Sequence, residues 1–461
     1  MLSKIRACLF SPYYSLFIFL LSATSFLFGD TVLLVGMMIE VQLVALVLCL
    51  SDDLAPTLLP VLSLIVLGTT LIGRMQIVMP LVPYAFTAVI AFFAHFLLYG
   101  TRKAVSPGKS LPGLLAVAAA ILFSGIGNRD DINYADPTSL YYLLAMSIGL
   151  IVLYFVFSCE VKRENGRDRM HHFLHVLCYV GGLCAFIIVV NLVKWLFSGA
   201  GGQTVNEYYE LIPYRNTIAN LLTLCLPAPF YFAGYALKHQ SARVSMFLVG
   251  CIFYSAMLMT IARTAMLFGT LVLICCLVYY LRGKGEWYFK LAGILIVLLG
   301  VSVVGFSVSE PIIKLFTSRL DEGLASVGEA RWQFLVRSFS DFLEHPLFGI
   351  GYVSFANADI YTADGCIPWY HLYFPQIWGG LGLVGCIAFA YQAVLRVKLI
   401  LFRPNAKTVA IALSYIGLFL YSQTDPGEFI PIPFAALAVL MFVLLERHYE
   451  EGRGSVTTIQ K

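Results

Sequence analysis

With 461 residues, 60% of them hydrophobic and only 12% charged, the chain departs from the roughly 45–50% apolar and about 25% charged make-up of an average soluble domain. A mean hydropathy of +0.84, carried by apolar runs from Pro12 to Leu445, is more than one globular core can hold beneath a polar surface, which excludes a soluble enzyme. The net charge of +4 implies no nucleic-acid partner, because its distribution along the chain has a simpler origin in membrane topology.

A helix takes about 20 apolar residues to cross a bilayer, and fourteen segments qualify in chain order: 12–29, 31–50, 56–73, 77–99, 110–127, 139–159, 173–197, 216–237, 244–261, 264–281, 291–308, 374–395, 408–423 and 430–446. The expected fold is an all-α polytopic membrane protein with about 14 transmembrane helices, twelve at the least, and both termini cytoplasmic. Lys4 and Arg6 precede the first segment, which has no clear small-residue cleavage site and reads as an uncleaved span. With the N-terminus inside, 21 Lys and Arg fall on inner segments and 8 on outer ones, with Lys194 inside a span. The positive-inside rule therefore sets the orientation. Of the 26 acidic residues, 16 fall on outer segments, so arginines kept on that side (Arg74, Arg215, Arg263 and Arg331) are not part of a generic basic patch.

Of eleven cysteines, ten lie in or beside apolar runs and read as small core residues. The remaining one, Cys366, has no partner on its side, so neither a disulfide framework nor zinc spacing is present. Between Glu310 and Tyr370 about sixty residues lie outside the membrane without a span, and a loop of that length is functional or disordered. Its composition is not that of disorder. Trp332, Leu335, Val336, Phe339, Phe342 and Leu343 recur at helical spacing, with Arg331, Arg337, Asp341 and Glu344 largely on other faces, which predicts an amphipathic helix ended by Pro346. Gly349-Ile350-Gly351 then allows a tight turn before the chain re-enters the membrane at Trp369.

Three features converge at the predicted outer surface. Pro213-Tyr214-Arg215-Asn216 opens the eighth span, Ile261-Ala262-Arg263-Thr264-Ala265 joins the ninth and tenth, and Pro368-Trp369-Tyr370-His371 leads into the twelfth. An arginine is always charged, and its planar fork suits phosphate oxygens. Two of them beside a histidine can hold a diphosphate leaving group while the imidazole takes a proton from an attacking hydroxyl.

The order of these residues resembles the O-antigen ligase and polymerase superfamily. The Arg-Asn segment and the Ala-Arg-Thr turn are followed by Glu329-Ala330-Arg331-Trp332, His345-Pro346-Leu347-Phe348-Gly349-Ile350-Gly351, His371, and a span with Gly379-Gly380-Leu381-Gly382-Leu383-Val384-Gly385. The resemblance covers about residues 210 to 400. It implies an inverting, metal-independent glycosyltransferase of the GT-C type. The implied donor is an undecaprenyl-diphosphate-linked glycan, the acceptor a glycan or lipid-linked glycan, with no cofactor. His371 matches the family's base, Arg263 and Arg215 its two diphosphate-binding arginines, and Arg331 a recurrent loop arginine assigned here to the diphosphate group. Fourteen spans depart from the twelve of many ligases, which leaves ligase and polymerase both open.

Plainer readings stand beside these. His371 sits next to Trp369 and Tyr370, where an interfacial belt residue is also expected. Arg215 and Arg263 suit snorkelling span ends, and Arg331 a solvated helix face. His345 suits a helix end, and His171, His172 and His175 begin an inner-side span rather than form a metal cluster. Glu40, ten residues into the second span, is either functional or satisfied by a partner in the bundle.

The chain is accordingly divided into a transmembrane bundle (1–209), a catalytic region (210–400) containing outer loop 309–371, a transmembrane hairpin (401–446) and a cytoplasmic tail (447–461). The expected activity is transfer or polymerisation of lipid-linked oligosaccharide at the outer face of the bacterial cytoplasmic membrane. Three rivals are a flippase, an adhesion or scaffold role for the loop, and a peptidoglycan-type polymerase using Asp321, Glu322, Asp341 or Asp364 in place of histidine. A flippase is expected to carry its site near the midplane.

Overall fold

The computed structural model describes residues 2–71, 74–100, 107–126, 137–161, 167–197, 205–212, 215–297, 299, 324–353, 361–362, 365–366, 370–425 and 427–459. Among these, regular structure is helical except for a two-residue antiparallel pairing of Tyr361–Thr362 with Gly365–Cys366. Among the described residues, eight helices are long and apolar enough to cross a membrane: Asp30–Leu50, Gln76–Tyr99, Ser139–Val161, Arg169–Phe197, Arg215–Ala236, Gln240–Met259, Tyr373–Ile400 and Pro431–Gly452. Six shorter apolar helices, of 10–17 residues, fall where the other six spans are expected. The protein is thus an all-helical membrane protein, with eight of the expected spans supported by length and composition.

The helices gather into two compact units, each discontinuous in sequence: residues 1–104 with 165–319, and 105–164 with 320–461. In the first, Arg169–Phe197 is the hub. Its buried positions, among them Phe173, Leu177, Val180, Cys184, Ile187, Asn191 and Trp195, recur every three or four residues. It packs on Pro12–Leu27, Leu58–Thr69, Arg215–Cys225 and Gln240–Met259. At its N-terminal end Arg169 and Arg167 donate to the two carboxylate oxygens of Asp53, at 2.6 and 2.8 Å, so the buried aspartate is fully paired. The neighbouring histidines go to separate partners. His171 Nδ1 meets the Tyr231 hydroxyl at 3.2 Å, His172 Nε2 meets the Ala55 carbonyl at 3.2 Å, and His175 lies edge-on to Tyr179. Glu40 takes the partnered course: the Ser22 hydroxyl on the adjacent helix donates to its Oε1 at 2.6 Å.

In the second unit Tyr373–Ile400 packs on Leu111–Leu122 and on Leu324–Glu344. Glu446 caps Leu111–Leu122 from another helix, accepting from the Ser110 amide and, at 3.0 Å, from the Tyr154 hydroxyl. Arg396 and Glu428 form a buried ion pair, to which the Tyr415 hydroxyl is added at 2.7 Å from Arg396, and pairing offsets the cost of holding each charge within the bundle.

The amphipathic loop helix is present as Leu324–Glu344, and its apolar side chains divide between two faces. Phe334, Ser338 and Asp341 are buried against the unit, whereas Trp332, Val336, Phe339 and Leu343 are exposed. Lipid is a second apolar solvent for a membrane protein, so hydrophobic periodicity alone no longer identifies the face that meets protein. The cysteines also divide: Cys159, Cys184, Cys225 and Cys276 are buried, while Cys8, Cys49 and Cys275 face outward.

Candidate functional site

The His345–Gly351 motif and the glycine-rich segment of Tyr373–Ile400 dock backbone to backbone. Gly382, at φ +65° and ψ −160°, interrupts the helix. This breaks the bonds that the amides of Leu383 and Val384 would make four residues back. Those amides donate instead to the carbonyls of Pro346 and Leu347, at 2.8 and 3.1 Å. The freed carbonyls of Gly379 and Gly380 accept from the amides of Ile350 and Gly351, both at 3.0 Å. Two helical bonds are replaced by four between the segments, so each of the four freed groups is paired, which is how a helix break is tolerated among packed spans. The loop is held further by Gly125, whose amide donates to the Phe348 carbonyl, and by Ser124, whose hydroxyl accepts from the Tyr352 amide, each at 3.0 Å.

This scaffold fixes the residues on either side of His371. The Gln376 side chain accepts from the Tyr370 amide at 3.1 Å and donates to the Tyr352 carbonyl at 2.7 Å. The Tyr370 hydroxyl donates to Asp341, whose other oxygen pairs with Arg337 Nε at 2.9 Å. Tyr370, Phe334 and Ile350 form a small buried cluster with Leu372 against it. His371 is left with φ +51°, a left-handed conformation that costs a side chain energy and in which histidine is enriched. Its ring lies against Phe334 with centroids 6.0 Å apart. Burial, and then the nearby charge of Arg331, lower its pKa from 6.5 to about 4. The imidazole is therefore uncharged near neutral pH.

Of the expected site residues, the structure brings His371 and Arg331 together, on adjoining elements of the second unit. Asp341 enters the site differently from the rival reading. It is 1% exposed, with its carboxylate engaged by Tyr370 and Arg337, so it braces the histidine segment and is not poised for chemistry. Burial raises its pKa, against these two partners. Tyr370, Gln376 and Trp378, whose indole donates to Ser338 at 2.8 Å, were not legible as site residues, because nothing in their spacing separates them from an interfacial belt. Asp321, Glu322, Asp364 and Trp369 lie outside the described residues.

Arg215 and Arg263 belong to the first unit. Arg215 opens the Arg215–Ala236 span, 94% of whose apolar window is buried. Its guanidinium carbon sits 3.8 Å from the centre of the Tyr209 ring, a cation–π contact. Tyr209 lies on the short helix Val205–Leu211. The adjacent Tyr208 hydroxyl donates to the Met259 carbonyl at 2.6 Å, tying that helix to the C-terminal end of Gln240–Met259. Here the chain reverses through Ile261, fully buried at φ +55°, an unusual conformation for a β-branched residue. Arg263 follows at once, ahead of the π-turn Ala265–Gly269. The two arginines thus stand at one end of one helix group, each half-buried. Among the described residues no group of three or more His, Cys, Asp or Glu is placed to hold a metal ion.

The family model described as O-Antigen ligase matches residues 244–390, from the helix before Arg263, through the loop helix and His371, to just beyond the Gly382 break. Arg215 lies before the matched region. No curated protein matches the chain. The match over residues 244–390 supports the resemblance of this region to the O-antigen ligase and polymerase superfamily.

Proposed function

We propose that the protein transfers or polymerises undecaprenyl-diphosphate-linked oligosaccharide on the outer face of the bacterial cytoplasmic membrane, within a catalytic region spanning residues 210–400. The family match supports an O-antigen ligase-type membrane enzyme. The observation that carries the chemistry is a His371 held uncharged by burial and by the nearby charge of Arg331, between neighbours one of which, Tyr370, is braced by Asp341. In this reading both termini are cytoplasmic, the six shorter apolar helices complete a set of about fourteen spans, and loop 309–371 is external, in keeping with the distribution of Lys and Arg.

His371 takes the proton of an acceptor hydroxyl as its oxygen forms a bond to the anomeric carbon. The bond from that carbon to the diphosphate breaks on the opposite face, so configuration inverts and undecaprenyl diphosphate leaves. Arg215 and Arg263 hold the diphosphate, and their fixed charges stabilise the leaving group without a metal. Arg331 adds charge beside the base. An arriving diphosphate offsets that charge and raises the basicity of His371, so the histidine becomes a better base only when donor is bound. A loop carboxylate in place of histidine is disfavoured at Asp341, whose oxygens are already engaged.

The test is turnover of a lipid-diphosphate glycan by purified protein in excess EDTA, with wild type active and His371→Asn inactive. Activity lost on chelation and restored by Mg²⁺ or Mn²⁺ overturns the metal-independent mechanism. Glycan transfer undiminished in His371→Asn overturns the role of the histidine.

A further inference from the structure

At the Arg215 end of the first unit a cavity of about 520 Å³ opens between the helix ends. It is within the roughly 300–1,000 Å³ of small-molecule sites. Asp30, Arg74, Asn191, Lys194 and Glu210 line it, with Phe26 and Leu211 among its apolar walls. Neither Arg215 nor Arg263 does. The cavity and Arg215 share the short helix Val205–Leu211: Glu210 faces the cavity, while Tyr209 carries the Arg215 guanidinium.

Three features define what fits. Arg74 and Asp30 pair at 2.7 Å, and Lys194 adds a cation lying over Phe26 at 5.4 Å from its centre. With Glu210 the two acids balance the two bases, so the cavity has no excess positive charge with which to hold a phosphate. Asn191 is 5% exposed and lines the cavity. Its amide can both donate and accept. An amide, a carboxylate and an ammonium beside an apolar wall are the donors and acceptors of a hydroxyl-rich ring whose C–H face needs an apolar surface. We infer that this cavity is a sugar subsite, holding one or two neutral, hydroxyl-bearing units of the glycan by Asn191, Glu210 and Lys194. The inference rests on the glycan-transfer reading and adds a place where sugar identity is read, apart from the diphosphate.

The test is calorimetric titration of the full-length protein in nanodiscs. The probe is the lipid-free repeat-unit oligosaccharide of the surface polysaccharide made by the cells that express the chain. Wild type is expected to bind it, and Glu210→Ala and Asn191→Leu to bind about tenfold or more weakly, as for loss of a hydrogen bond to a charged or buried group. Glu210 is exposed, so Glu210→Ala carries the test even where the buried Asn191 variant disturbs packing. Binding as tight in Glu210→Ala as in wild type overturns the subsite, as does displacement of the sugar by inorganic pyrophosphate. The measurement needs no turnover. Glu210-dependent sugar binding by a protein without transfer activity defeats the transfer reading and keeps the subsite, whereas transfer with unchanged binding and KM in Glu210→Ala does the reverse. A raised KM for acceptor alone assigns the bound sugar to the acceptor, and a raised KM for donor alone to the donor; either supports the subsite.

Discussion

Gly382 and Gly349 meet main chain to main chain: a Cβ on Gly382 would lie 2.6 Å from the Gly349 amide nitrogen. Gly382 also has a φ of +65° with ψ −160°, a region open essentially to glycine alone, at about 1–3 kcal/mol for other residues. Gly382→Ala is therefore expected to destabilise the second unit by at least that amount, since backbone and not a flexible side chain must move. Gly68→Ala is the control, because nothing lies within 4 Å of its would-be Cβ. Thermal unfolding of the purified proteins, followed by tryptophan fluorescence, checks both. A midpoint for Gly382→Ala as high as that of wild type overturns the account of the helix break.

His371→Asn separates chemistry from backbone. Asparagine tolerates the left-handed conformation that His371 adopts, so the segment from Tyr370 to Leu372 keeps its shape while the base is lost. The expected outcome is a fall in turnover of about 10² to 10⁴, with donor binding and thermal midpoint close to wild type. His371→Ala should lose the same activity and, because alanine is strained at φ +51°, unfold at a lower temperature than the asparagine variant. A loss under tenfold in His371→Asn leaves the histidine as an interfacial residue.

Eight of the spans were legible in the sequence because they depend on a local signal, apolar runs of fixed length. The purpose of the glycines was not. His345–Gly351 and Gly379–Gly385 read as a tight turn and a glycine-rich span, but their pairing is a contact between backbones some thirty residues apart, invisible to any periodicity. Asp341 read as a possible catalytic carboxylate because exposure and partners are not written in one dimension.

Arg331 and His371 together set a pH dependence. Burial and Arg331 hold the His371 pKa at about 4 rather than 6.5, so the base stays deprotonated in mildly acidic solution. The acid limb of kcat/KM, which reports the free enzyme, is expected well below pH 6.5. The limb of kcat, which reports the donor complex, is expected at higher pH, because the bound diphosphate offsets Arg331. Arg331→Gln removes one of the two causes and should move the kcat/KM limb upward, toward but not reaching 6.5, since burial remains. The stability sign is fixed by the same shift. Between about pH 6.5 and 4 the unfolded chain binds the proton that folded His371 refuses, so acidification through this window destabilises the fold. Identical acid limbs in wild type and Arg331→Gln exclude the electrostatic link.

Arg263→Lys distinguishes a diphosphate ligand from a membrane anchor. Both side chains are long and cationic, and either can snorkel to the interface, so an anchoring role predicts normal activity in the lysine variant. A guanidinium that grips two phosphate oxygens at once offers a fork that an ammonium cannot reproduce. Its loss should lower kcat/KM for the lipid-diphosphate donor by about tenfold or more, the scale of a charge-assisted hydrogen bond. The site favours a rigid presentation, because Arg263 follows the strained, fully buried Ile261 and precedes a π-turn, and strain of this kind is retained where a side chain must be held in one place. Ile261→Gly keeps the arginine but releases that constraint. Its expected effect is a smaller loss of kcat/KM than Arg263→Lys, together with a lower thermal midpoint, since a fully buried side chain is removed. Donor kinetics on purified wild type and the two variants decide the matter, and full activity in Arg263→Lys reduces the residue to a point charge at the end of a span.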